Sequence, residues 1–130
     1  VFNYTPQLIC GSTDINPYRI VKMDTTSWQG IPATANGDYV VGVSDGSVRL
    51  FNATVHATAK DPITFQPSPT VQIEAGTGGW TAGAALKPST GGVAIKTTTS
   101  ADLALYVALE DASAGDIAWA YRLSATKAIP

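Results

Sequence analysis

His56 and Cys10 are the lone histidine and lone cysteine of the chain, and Trp28, Trp80 and Trp119 are its three tryptophans. Together with ten acidic residues, these are the side chains from which chemistry could be built. A zinc centre needs several His or Cys ligands, and His56 has no second histidine or adjacent cysteine to complete a familiar set. A serine hydrolase could use His56 as its base, but no Gly-x-Ser-x-Gly elbow is present to carry the nucleophile. Glycoside hydrolysis needs two carboxyl groups flanking one bond. Glu110 and Asp111 are the only acidic residues adjacent in sequence, and successive strand residues point to opposite faces. His56 lies in Thr54-Val55-His56-Ala57-Thr58, an alternating context that reads as a half-exposed strand histidine. Cys10 cannot form an internal disulfide, and beside Leu8 and Ile9 it reads as a small apolar residue in a packed segment. The sharper alternative, a reactive nucleophile or an intermolecular bridge, lacks a charged neighbour to lower the thiol pKa. The expectation is a protein with no catalytic activity, no metal and no cofactor.

The tryptophans suit contact better than catalysis. An exposed Trp stacks on sugars or fills a partner's pocket. Trp119 alternates with Ile117, Tyr121 and Leu123, so it reads as core. Trp28 and Trp80 lie near Gly30 and Gly79 in loops and are the candidate surface contacts, the plainer alternative being a cap over the end of a sandwich.

Composition narrows the partners. Charged residues make up 14% of the chain and the formal net charge is −2, with both signs scattered singly. No basic patch exists to neutralise a phosphate backbone, so nucleic acid is not an expected partner. No run approaches the ~18 apolar residues that span a bilayer, so neither is a membrane. Apolar residues reach 45%, which separates this chain from disordered ones.

The elements that would position these residues are short strands. Tyr18–Met23, Tyr39–Val43, Val71–Ala75, Val93–Lys96 and Ile117–Leu123 read as strands separated by turn residues. Asp45-Gly46 between Tyr39–Val43 and Val48–Phe51 is a hairpin signal. A cation site there would need more oxygen ligands than Asp45 and a nearby Asp38. Gly76–Gly79 lacks the Lys-Ser/Thr ending and following helix of a phosphate loop and reads as a turn. The 99–112 stretch alternates Leu103, Leu105, Val107 and Leu109 with Ala104, Tyr106 and Ala108, which predicts a strand rather than a short capped helix. The region 52–70 is irregular and broken by Pro62, Pro67 and Pro69, with Ile63 and Phe65 as a brief strand-like pair. Residues 1–17 read as an extended N-terminal arm carrying Phe2, Tyr4, Leu8 and Ile9, or as a first strand along a sheet edge. The fold class is therefore all-β, a small antiparallel sandwich or barrel of seven to nine strands, with an arm at 1–17 and a single β-domain at 18–130.

Three segments resemble the capsid decoration (cement) proteins of tailed bacteriophages. They are Gly79-Trp80-Thr81-Ala82-Gly83-Ala84-Ala85-Leu86, the strand Gly92-Val93-Ala94-Ile95, and Val107–Asp116 leading to Trp119-Ala120-Tyr121-Arg122-Leu123. Tyr39–Ser44 resembles an earlier strand of that family, and the likeness runs over roughly residues 18–123. The arm and the insertion at 52–70 depart from the compact family pattern. The resemblance implies a structural virion protein, made in the host cytoplasm, that binds the outer surface of the head. It also implies a homotrimer that reinforces junctions between subunits of the major capsid protein. On that reading Phe2, Tyr4, Leu8 and Ile9 are the apolar anchors to shell or neighbouring subunit. The alternative is a carbohydrate-binding module or phage surface adhesin that uses Trp28 and Trp80.

Overall fold

A computed structural model of the chain describes residues 7–35, 38–49, 54–97, 99 and 102–128. Its strands are β1 (Ile9–Cys10), β2 (Ile20–Met23), β3 (Gln29–Pro32), β4 (Val40–Val43), β5 (Thr70–Glu74), β6 (Ala85–Pro88), β7 (Ala94–Lys96), β8 (Leu103–Ala108) and β9 (Ile117–Ala128). They form a four-stranded sheet of order β1-β3-β2-β4 and a five-stranded sheet of order β5-β9-β8-β6-β7. All ladders are antiparallel except β1 against β3. The all-β sandwich is what the alternation and turn signals predict. The barrel alternative is not taken: a single parallel bridge, Ala75 to Ala94, joins the two edges of the larger sheet without a continuous ladder.

Successive strand residues face opposite ways, and β2 uses both directions. Ile20 points into the space between the sheets, where it meets Val43, Val71, Ile73, Leu86 and Tyr106. Val21 points outward into a second buried cluster with Cys10, Ile15, Ala57 and Ile63, flanked by Leu8 and Phe65. The four-stranded sheet is thus covered on both faces, its outer one by the strap 54–65. That strap has no regular strand, yet it is tied down by bridges at Ala57, Pro62 and Phe65. Gly42 permits the approach, because a Cβ there would stand 2.9 Å from the Phe65 ring.

One local expectation changes, and for residues 7–17 the edge-strand alternative is the one found. Asp45-Gly46 does not join a hairpin: Ser44 bridges Phe65, and the Asp45 backbone N–H donates to Thr64 O at 2.9 Å. The Asp45 carboxylate accepts the Ser47 N–H at 2.9 Å, so the side chain closes the turn itself, a competing use of Asp that needs no ladder. Leu50 and Phe51, the far end of the expected hairpin, lie outside the described residues. Residues 7–17 run against the body, with β1 on a sheet edge and Ile15 fully buried. Phe2 and Tyr4 lie outside the described residues.

Candidate contact surface

His56 is buried rather than half-exposed, and both of its ring nitrogens are committed to backbone. Nδ1 lies 2.8 Å from Ser47 O, and Nε2 accepts the Thr64 N–H at 3.0 Å. Ser47 Oγ stands 3.3 Å from Nδ1, and Asp45 Oδ1 stands 3.5 Å from the same nitrogen. Serine, histidine and aspartate therefore converge, but on one side of the ring. A hydrolase triad places serine and aspartate on opposite nitrogens. With Nε2 occupied by Thr64, this cluster pins the 45–47 turn to the strap and has no nitrogen placed to act as a base.

Cys10 is packed as expected. Its Sγ lies 3.2 Å from Thr13 O and 3.6 Å from Ala57 O. Burial, reinforced by Asp14 and Asp61, pushes the thiol from its ordinary 9.0 up to about 11. Between those values the unfolded chain gives up the thiol proton while the folded one keeps it. Stability is therefore fully present below pH 9.0 and falls as pH rises toward about 11. Unfolding midpoints followed across that window should drop for the parent chain and drop less steeply for Cys10→Ala.

Two of the three tryptophans, Trp80 and Trp119, are placed differently from their sequence assignments, and Trp28 is exposed as expected. Trp80 is not a surface contact: it is 4% exposed, its Nε1 donates to Glu110 O at 2.9 Å, and its backbone pairs in both directions with Ala112. Gly79 makes this possible, with φ +55° and a position where a Cβ would lie 2.2 Å from Ala112 O. Only glycine lets the loop fold the indole inward there. Trp28 is 57% exposed and stands on the rim of a groove of about 530 Å³ lined with Leu8, Met23, Val41, Ile63 and Phe65. Its φ of +62° turns its carbonyl to accept the Ile9 N–H at 2.9 Å, which holds β1 against the sheet. Leu8 is half-buried in the outer cluster and Ile9 is built into β1.

Trp119 is the second of these corrections. The residues of β9 that face the core are Ala118 and Ala120, while Ile117, Trp119 and Tyr121 stand 40%, 43% and 43% exposed on the outer face. On β8 the inward residues are Ala104, Tyr106 and Ala108. Val107 faces outward opposite Tyr121, and Leu109 adds a further exposed apolar side chain beside Trp119. The cause is volume. Tyr106, Trp80, Leu86, Ile73 and Ile20 already fill the space between the sheets, so β9 presents alanine to it. The large residues then form a contiguous outward stripe, bordered on β5 by Thr70, Gln72 and Glu74. A contiguous exposed apolar stripe is the candidate contact surface of a small domain.

No protein family matches the chain, and no curated protein matches its sequence. A solved structure does. The chain is similar to the N base of head fiber gp8.5 of bacteriophage phi29, with a TM-score of 0.57 and 17% identity. The match covers 90% of this chain and 93% of that one. At this identity the likeness is one of fold: the arrangement of sheets is shared along nearly the whole length of both chains, and side chains are not carried across. The residues that make up the outward stripe are therefore argued from this chain alone.

Proposed function

We propose that this chain is a structural protein of a tailed-phage head, seated on the outer surface of the shell against the major capsid protein. The observation that supports this most is the fold shared, nearly end to end, with the base of a phage head fiber. The outward stripe of Ile117, Trp119, Tyr121 and Leu109 supplies what such a role requires, an exposed apolar face. We assign that face to the contact with the shell. A low density of charge helps, since few ions must be stripped of water when the face is covered.

On this reading the protein acts as a trimer that reinforces junctions between capsid subunits and has no enzymatic role. Three linked contacts multiply weak individual ones, by about 10²–10⁴ where the geometry allows simultaneous engagement. Binding only to the assembled shell stabilises that shell by mass action. Leu8 and Ile9 are already engaged in the body of the domain, so any anchoring by the arm falls to Phe2 and Tyr4. Of the two platforms assigned to the sugar-binding alternative, Trp28 stays exposed and Trp80 is in the core.

The test is sedimentation of purified protein with heads of the phage that encodes it, alongside light scattering of the free protein. Saturable co-sedimentation with heads and a trimeric mass are expected. Absence of the protein from purified virions, together with no binding to heads, would remove the proposal.

A further inference from the structure

A cleft of about 390 Å³ opens at the seam where β4 meets the five-stranded sheet. Its walls combine apolar Val41, Val43, Phe65, Pro67, Pro69 and Val71 with polar Gln66 and Ser68, and Tyr106 and Arg122 reach it from β8 and β9. These two are directly paired across the strands, so they share a face. Tyr106 is 1% exposed, and its hydroxyl has no hydrogen-bond partner among the described residues. Arg122 makes long bonds of 3.3 Å from its Nη atoms to the carbonyls of Val40 and Val41 and has no carboxylate partner among the described residues.

The polar groups around the cleft are otherwise occupied. The Gln66 side-chain amide donates to Ser44 O and Gln72 O and accepts the Gln72 N–H. Ser68 Oγ accepts the Thr70 N–H. Two side-chain donors border the space, the buried Tyr106 hydroxyl, which has no partner among the described residues, and the Arg122 guanidinium. Burial pushes the Tyr106 phenol up to about 12, so its oxygen carries its proton at neutral pH and donates. A buried hydroxyl without a partner costs stability, and native structures seldom keep one without use.

We infer that this cleft binds a carboxylate carried on a short apolar stem, the anionic oxygens accepting from the Tyr106 hydroxyl and the Arg122 guanidinium. The planar fork of arginine matches a carboxylate, and the valine, proline and phenylalanine walls fit methylene groups. Two sources share this chemistry, a free short-chain carboxylate and a glutamate or aspartate side chain of a bound protein. The inference stands apart from the head-binding reading, and its test uses no heads.

The probes are butyrate, its uncharged isostere butyramide, and a blocked glutamate tripeptide, each titrated into the full chain and followed by amide and Arg122 Nε NMR shifts. Saturable shifts at Val43, Val71 and Arg122 are expected with butyrate or the tripeptide and not with butyramide. Tighter binding of the tripeptide points to a protein partner, and tighter binding of butyrate to a free acid. Tyr106→Phe and Arg122→Gln should each weaken the effect roughly tenfold or more. Because the hydroxyl has no internal partner, Tyr106→Phe should melt at or above the parent's temperature. No saturable shift with either carboxylate overturns the inference, as does equal binding of butyramide. So does a Tyr106→Phe protein that melts lower, since the hydroxyl would then be satisfied within the fold.

Discussion

A Trp119→Lys protein is expected to fold like its parent and, if the proposed head contact is right, to bind phage heads far more weakly. Trp119 lies on the outer face of β9 with its side chain directed away from the core, where Ala118 and Ala120 do the packing. Removing it opens no cavity, and the change should cost under about 1 kcal/mol of folding stability. At the contact the consequence is much larger. A tryptophan at the centre of an apolar patch is a typical anchor, and a buried, unpaired ammonium in its place carries a desolvation penalty as well. The expected loss is at least about 2 kcal/mol, roughly thirtyfold in affinity for the shell. Thermal unfolding and co-sedimentation, measured on the same preparation, separate the two effects. Undiminished binding by a well-folded variant would move the contact away from this face, and the groove beside Trp28 would be examined next.

Trp80→Ala should do the opposite, removing about 3–5 kcal/mol of stability through lost burial and the cavity left behind. The indole packs among Ile73, Leu86 and Tyr106 in the core, and its N–H is bonded to Glu110 O. Loss of that bond leaves a carbonyl to find another partner. A domain of this size has a total stability of about 5–15 kcal/mol, so the variant should be unfolded in part near body temperature. Trp28→Ala is the matched control: its indole is largely exposed, and its removal should cost little. Chemical denaturation of both variants gives the comparison. A stable Trp80→Ala protein would mean that the indole is dispensable to the core and would reopen its use as a surface contact.

Strands such as Thr70–Glu74 and Ile117–Leu123 were legible because each carries a period of two between turn residues, whereas the Pro-bearing β3 and β6 carry no such signal. Which face turns inward was not legible. Alternation has the same period whichever side is buried, and β9 offers two apolar choices, one bulky and one made of alanine. The decision rests on how much room is left between the sheets, and that depends on Ile20 across the core and on Ile73 and Leu86 of its own sheet, residues remote in sequence. The same cause hides the strap 54–65, which has no period of its own and is ordered by what it covers. His56 looked like a half-exposed strand residue because its partners, the Ser47 carbonyl and the Thr64 N–H, are brought to it by two irregular segments. Trp80 sat among glycines that usually signal a loop, and here Gly79 serves to fold the indole inward. The cleft at Tyr106 and Arg122 has walls drawn from β4, the strap, β5, β8 and β9, a convergence that no local pattern carries.

One connection bears on how many copies of this molecule can crowd together. The edge strands of the larger sheet, β5 and β7, are brought together at the end of β5, where Ala75 bridges Ala94 and the Gly76 N–H donates to Ala94 O at 2.8 Å. Open strand edges are templates on which further chains can add without limit, the route by which concentrated β-proteins become fibrils. By turning two of its rims toward each other, this sheet spends part of that hydrogen-bonding capacity internally. Encounters between neighbours are thereby biased toward side-chain faces, which saturate once a fixed set of places is filled. A protein displayed at high local density needs that bias, because occupancy then stops at a count instead of growing into an aggregate.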